Sequence, residues 1–208
     1  MHKIKDCRRD DRLAWFAERR AHLDRPYLIT GPQAAYAYHR WLTPLDQFVT
    51  LLVYPEDVPV WRQIGRFDSD GAWQVFESLP TSAEVQAVQA LDSVRGMVML
   101  QPTLEPARYR RRHDIDGLTF SAPEDLCLDL LERARGETSV AEAAAILIVQ
   151  RDALAWDMLL DQAERRGLAR RLGVLLEVIN TEAEAEVIAS EIIKDLSRRV
   201  DTICHPME

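Results

Sequence analysis

The sequence predicts an α+β protein, with a small mixed β-sheet and flanking helices in the first part of the chain and a bundle of helices in the second. Short β-branched and aromatic runs alternate with helical spacings up to about residue 120, and only helical spacings follow. A chain of 208 residues accommodates one ordinary domain, or a small domain with a helical appendage. We therefore expect an α/β part with an N-terminal helix over 1–120 and a helical bundle over 121–208, packed on it.

Strand and helix patterns alternate in the first part. Gln47–Tyr54 is its strongest strand pattern, because it is short, β-branched, aromatic and apolar almost throughout, which predicts burial on both faces. Gly31 and Pro32 predict a sharp turn that starts a helix. In chain order we expect a helix over 9–24, a strand over 27–30, a helix over 32–41, a strand over 47–54, a short helix over 55–64, a strand over 72–78, a helix over 81–91, a strand over 96–100 and a hairpin pairing 108–113 with 118–120.

Helical spacing alone continues after Ser121, where Ser121 and Glu124 flank a proline in a capping-box pattern. The pattern predicts helices from that point to Gly136, then over 139–150, 155–166, 168–180 and 182–203. The last helix carries an apolar stripe formed by Ile188, Ile192, Leu196, Val200 and Ile203. The favoured interpretation is packing against the chain's own bundle, and the alternative is a homodimer through this C-terminal helix.

Composition and charge limit the classes of function. The net charge of −8 argues against a whole surface that binds nucleic acid, because phosphate contacts need a positive field. The three cysteines are widely spaced and form no Cys-x-x-Cys pair, which is typical of reduced thiols in a cytosol. The N-terminus has no signal-peptide pattern, and no apolar run is long enough to span a membrane. We therefore expect a cytoplasmic protein with no membrane partner.

Two stretches of the chain carry a family resemblance. The first is 28–36 followed by the strand 47–54, and the second is 117–126 with 159–173. The chain resembles the nucleotidyltransferase-fold superfamily, and more narrowly the antitoxin of bacterial abortive-infection (AbiE-type) toxin-antitoxin systems. The resemblance implies a nucleotidyltransferase-like fold, a cognate toxin as protein partner and an N-terminal winged helix. Since about 25 residues precede Tyr27, enough for a single helix, we expect that DNA-binding module to be missing.

Catalysis in this superfamily depends on a phosphate-binding turn and on carboxylates that hold two magnesium ions. Here Pro32 removes an N–H donor from the turn and supplies no hydroxyl, and the strand 47–54 contains no acid. The sequence therefore predicts a pseudoenzyme with no catalytic residue, metal ligand or cofactor, which acts by protein interaction. The alternative is a nucleotidyltransferase that holds Mg²⁺ and a nucleoside triphosphate through rearranged carboxylates: Asp46, Glu56, Asp57 and Glu77.

Candidate binding residues are Gly31 of the turn and three arginines, Arg108, Arg110 and Arg112. On the predicted strand these arginines share one face, as phosphate or carboxylate recognition requires. The favoured explanation is an exposed edge strand that charge keeps soluble, and the alternative is a nucleic-acid-binding accessory protein. His39 matches no metal-ligand spacing and is expected to be a hydrogen-bonded structural residue. The pairs Arg165-Arg166 and Arg170-Arg171 are expected to bind helix C-terminal carbonyls or an acidic partner.

Overall fold

A computed structural model describes residues 7–41, 48–65, 72–78, 81–89, 94–133 and 137–204. Within these ranges the chain forms six strands and ten α-helices, which confirms the α+β class with helices at the C-terminal side. The strands are β1 Tyr27–Thr30, β2 Phe48–Val53, β3 Ala72–Phe76, β4 Val94–Gln101, β5 His113–Ile115 and β6 Leu118–Phe120. The helices are α1 Cys7–Arg20, α2 Pro32–His39, α3 Val58–Trp61, α4 Ser82–Gln89, α5 Pro106–Arg110, α6 Pro123–Arg133, α7 Glu137–Gln150, α8 Trp156–Arg165, α9 Ala169–Glu182 and α10 Ser190–Cys204, and 3-10 turns flank α3.

The six strands form one mixed sheet in the order β3-β4-β2-β1-β6-β5. Strands β2, β3 and β4 are parallel to one another, and β1 is antiparallel to β2. Thr30 at the end of β1 therefore pairs with Thr50 near the start of β2, while Tyr27 pairs with Val53 at the end of β2. The turn after β1 and the segments that follow β2 and β3 consequently lie at opposite edges of the sheet.

By its internal contacts the chain divides into two compact units. The first, Met1–Gln33 with Leu45–Ser121, holds the sheet together with α1, α3, α4 and α5. The second, Ala34–Pro44 with Ala122–Glu208, holds α6 to α10 and most of α2. Chain order predicted a division after residue 120 and placed α2 with the sheet. Because the helical spacing of α2 carries no information about its neighbours, only the tertiary structure could assign it to the helical unit.

Three aromatic residues, Phe16, Tyr27 and Trp61, pack together in the core of the sheet-containing unit. Trp61 and Phe16 are fully buried and stacked, with ring centroids 6.3 Å apart, and Tyr27 packs edge-on against both. Each large buried ring contributes roughly 1.5–3 kcal/mol through the apolar surface it removes from water. All six residues of β2 are buried, as its apolar sequence predicted. The helix α1 is thereby held on the sheet through Phe16.

The hairpin prediction was wrong in its first half. The residues that were predicted to form its first strand begin instead with the one-turn helix α5, because Pro106 occupies a first-turn position and Glu105 precedes it in an extended conformation. The strand β5 starts only at His113 and pairs antiparallel with β6. The turn between them is as predicted, with Asp116 and Gly117 both at positive φ.

The C-terminal helix is shorter than its apolar spacing predicted. A turn separates α9 from α10, and the side chain of Asn180 stabilises it by accepting a hydrogen bond from the N–H of Ile188 and donating one to its carbonyl, at 2.8 and 2.7 Å. Glu186 accepts hydrogen bonds from the N–H and hydroxyl of Ser190, at the first residue of α10. None of the described helices has the length and apolar character that crossing a bilayer requires.

Candidate functional site

The turn that follows β1 lies beside the hydroxyl group of Thr50, on the neighbouring strand β2. Gly31 has a φ of +72°, a left-handed conformation that glycine adopts without strain. A Cβ at this position would lie 3.8 Å from the hydroxyl oxygen of Thr50. Thr30 and Thr50 are directly paired across β1 and β2, and both are buried. Where the resemblance requires carboxylates on the strand after the turn, β2 therefore offers the hydroxyl of Thr50.

The candidate residue Arg108 is linked through Ser121 to strand β1, which precedes the glycine turn. Its guanidinium Nη2 donates to the hydroxyl of Ser121 at 3.3 Å, and the N–H of Ser121 donates to the carbonyl of Ile29 at 3.0 Å. Ser121 is fully buried and Arg108 is half-buried. The chain Arg108, Ser121 and Ile29 thus fixes a cation beside the final residues of β1. This arrangement depends on the non-local pairing of β1 with β6, so sequence spacing gave no signal for it.

The three candidate arginines do not share one face. Arg108 and Arg110 belong to α5, whereas Arg112 follows it and lies over the ring of Tyr109 at 4.7 Å. Arg112 also faces Asp114, with 3.7 Å between Nε and the carboxylate oxygen. Arg110 is exposed. The predicted phosphate-binding stripe depended on an extended backbone, and the helix at Pro106–Arg110 removes it.

The carboxylates of the alternative metal site are separated in the structure. Asp57 is buried beside Arg25, with 3.7 Å between Oδ1 and Nε, and Glu56 is exposed. Glu77 binds Arg62 through both oxygens, with 2.8 Å between Oε2 and Nη2, and these hydrogen bonds hold the pKa of Glu77 below its usual value. Asp46 lies outside the described residues.

Position in the sheet separates these acids from the glycine turn as well. Glu56 and Asp57 follow β2, and Glu77 follows β3, so they lie at the sheet edge opposite Gly31. In the part of the chain that the structure describes, no three His, Cys, Asp or Glu side chains come together as metal ligands do. The described carboxylates therefore do not fit a bound pair of magnesium ions with a triphosphate at Gly31.

Among the described side chains of the helical unit four carboxylates are buried, and sequence analysis missed them as a group: Glu124, Asp125, Asp129 and Glu142. Glu124 accepts a hydrogen bond of 2.7 Å from the N–H of Ala155, immediately before α8. Burial, with the nearby charge of Glu124, raises the pKa of Tyr38 well above its usual value. Asp129 accepts a hydrogen bond of 3.0 Å from Nη2 of Arg166. The acids at the start of α6 could be read from the sequence, but their burial depends on the packing of other helices.

His39 has the structural role that its spacing predicted. It is 2% exposed, and its Nδ1 accepts a hydrogen bond from the N–H of Trp41 at 3.0 Å. Since Nδ1 is an acceptor, the neutral ring carries its proton on Nε2. Burial lowers the pKa of His39.

The arginine pairs at the junction of α8 and α9 have different partners. Arg171 donates to the carbonyl of Leu131 in the last turn of α6 at 2.9 Å, as predicted for a helix C-terminus. Arg166 binds Asp129 and Glu132, and Arg165 donates to the carbonyl of Asp161 one turn earlier. Arg170 is exposed, and its side chain has no hydrogen bond or ion pair with another described residue.

An apolar groove of about 420 Å³ lies on the helical unit beside this junction. The residues that line it are Leu131, Val140, Arg170, Arg171, Val174, Leu175 and Val178. Val174 and Val178, which are four residues apart on α9, are 55% and 47% exposed. Unlike this groove, the apolar stripe of the C-terminal helix is partly covered within the chain, because Ile188 and Leu196 are buried and α10 packs on α9 and α8.

The fold and these sites define an α+β protein with a hydroxyl-lined turn, acids paired with arginines and an exposed apolar groove. Comparison with protein-family models, with curated proteins and with solved structures gives no match.

Proposed function

We propose that this protein is a non-catalytic, nucleotidyltransferase-like protein that acts by binding another protein, as an antitoxin-like or accessory partner of a neighbouring gene product. One observation carries the proposal: the strand after the glycine turn is buried along its whole length and carries Thr50 as its only polar side chain. Nucleotidyl transfer needs carboxylates there to bind the metal ions and align the phosphates. A threonine hydroxyl carries no charge and cannot replace them.

The pairing of the remaining acids supports the same proposal. Asp57 and Glu77 each face an arginine, and an arginine neutralises the negative charge that would attract Mg²⁺. Assembly of a metal site from these two residues would require breaking both pairs and bringing together segments that follow different strands. The described part of the fold therefore favours a binding role over a rearranged active site.

A surface suited to a protein partner lies at the end of α2. Trp41 is 60% exposed, and the guanidinium of Arg40 lies over the ring of Tyr36 at 5.3 Å. Tryptophan, tyrosine and arginine are the residue types that most often dominate the binding energy of protein interfaces. An exposed tryptophan contributes little to the stability of the free protein, so its substitution separates binding from folding.

Co-expression with the product of the adjacent gene, followed by affinity purification of a tagged chain, tests the proposal. We expect a stoichiometric complex that W41S weakens at least tenfold, as loss of an interface hot spot does. The control V149S changes another exposed residue, on α7, and should leave the complex intact. Absence of any complex, or transfer of a labelled nucleotide in the presence of Mg²⁺ and nucleoside triphosphates, would overturn the proposal.

A further inference from the structure

The exposed surface of α9 carries a regular four-residue repeat. Arg170, Val174, Val178 and Glu182 are separated by four residues each and are all exposed. Residues at this spacing form one of the ridges by which helices pack against each other. The repeat therefore presents a ridge with a cation at one end, two valines in the middle and an anion at the other end.

The charges at the ends of this ridge do not stabilise their own helix. Arg170 is in the first turn and Glu182 is in the last turn of α9, which has no acid in its first turn and no base in its last. This is the reverse of the arrangement that the helix dipole favours, where acids belong at the N-terminus and bases at the C-terminus. Neither side chain has an ion pair with another described residue. Contacts within the described helical unit therefore do not account for their placement.

From this ridge and the adjoining groove we infer that the protein forms a homodimer in which α9 packs antiparallel against α9 of a second copy. A two-fold axis midway between Val174 and Val178 brings each of these valines opposite the other in the second copy. The same axis pairs Arg170 with Glu182 of the second copy, and it does so twice, because an interface of this symmetry repeats each contact. Antiparallel packing also places each arginine near the C-terminus of the other α9, where the helix dipole favours a cation.

The groove beside α9 supplies the apolar area that such a pair needs. Val140 and Leu131 line it together with the two valines of the ridge. Ridges of four-residue spacing interdigitate at an angle near −50°, so each α9 would cross the other and reach the groove beside it. Arg171 also lines the groove, and its hydrogen bond to the carbonyl of Leu131 connects α9 to the end of α6 at that point. The self-complementary order of the charges selects a second copy over an unrelated helix, which would need matching charges of its own.

Charge reversal in the full-length protein, measured by sedimentation velocity over a range of concentrations, tests the inference. We expect that R170E and E182R each raise the dimer dissociation constant about tenfold, because each converts two attractive pairs into two repulsive ones. The double variant R170E/E182R restores both pairs with their signs exchanged, and it should regain most of the affinity. V174S should also weaken the dimer, whereas V149S, on α7, should not.

Circular dichroism of each variant verifies that the helices are retained. A protein that stays monomeric at concentrations up to about 1 mM, the weak limit of a measurable dimer, would overturn the inference. A dimer that none of the substitutions on α9 affects would place the interface elsewhere and overturn it equally. A double variant that associates as weakly as the single variants would refute the antiparallel pairing. These results are independent of complex formation with the adjacent gene product, which V174S should leave unchanged.

Discussion

Substitution of Arg166 should be one of the most destabilising single changes in the helical unit. Its Nη2 lies 3.0 Å from Asp129, whose side chain is 6% exposed, while Arg166 itself is 22% exposed. At that distance the attraction amounts to about 5.5 kcal/mol for an effective dielectric constant of about 20. Desolvation of both groups offsets part of this energy, and removal of one partner leaves the other charge buried.

We therefore expect R166M to lower the free energy of unfolding by about 3 kcal/mol, the lower end of the range for breaking a buried pair. Urea unfolding followed by circular dichroism at several wavelengths measures it. R165M is the matched control, because Arg165 is exposed and bonds only a carbonyl of its own helix; we expect it to cost less than about 0.5 kcal/mol. The double variant R166M/D129N should recover about 2 kcal/mol, since the amide that replaces the carboxylate of Asp129 carries no charge that would be left buried without its partner. Equal losses for R166M and R165M, or additive losses in the double variant, would refute the reasoning.

Two further predictions concern buried histidine and glycine conformation. Because burial lowers the pKa of His39, the unfolded chain binds a proton at a higher pH than the folded one, so the free energy of unfolding should fall as the pH drops below about 6.5, by at most about 1.4 kcal/mol per pH unit. H39N keeps an acceptor for the N–H of Trp41 and should flatten this slope in urea unfolding between about pH 7 and pH 5. An unchanged slope would contradict the assignment to His39. G31A should lower the melting temperature, at a cost of about 1–2 kcal/mol, because its φ is +72° while its Cβ would make only ordinary contact with Thr50. G173A lies in the middle of α9, where a Cβ would make only ordinary contact with its neighbours. It should raise the melting temperature, through a gain of about 0.5–1 kcal/mol in the free energy of unfolding. Melting temperatures that shift in the same direction for G31A and G173A would refute the argument from backbone conformation.

Strand β2 carries no acid, whereas the resemblance to nucleotidyltransferases implies carboxylates on this strand. Fold does not imply function, so function must be argued from the sites and surfaces of the chain itself. Here the candidate surfaces are the exposed Trp41 and the ridge of α9, and they lie on the helical unit, while Gly31 and Thr50 lie on the sheet-containing unit. The two proposals therefore use different residues from those that the superfamily uses for catalysis.

Local pattern determined most of the secondary structure. The strands around Tyr27–Thr30 and Phe48–Val53 and the helices α6 to α9 are close to their predicted bounds, because apolar periodicity and turn residues act over a few neighbouring positions. The turn at Asp116 and Gly117 was also predictable from residue type. The same local rules failed at Arg108, where Pro106 starts a helix that an arginine-rich sequence does not reveal.

The sequence by itself determined which chemical groups this protein has available: no acid within the strand after the glycine turn, widely spaced cysteines and an acidic net charge. Only the tertiary structure decided which groups meet. Strand order placed Glu56 and Glu77 at the edge opposite Gly31. Helix packing gave the side chain of Arg171 a backbone carbonyl to bind, while that of the neighbouring Arg170 binds no other described residue. These outcomes depend on contacts between residues far apart in the chain, whereas periodicity and turn chemistry report only on neighbours.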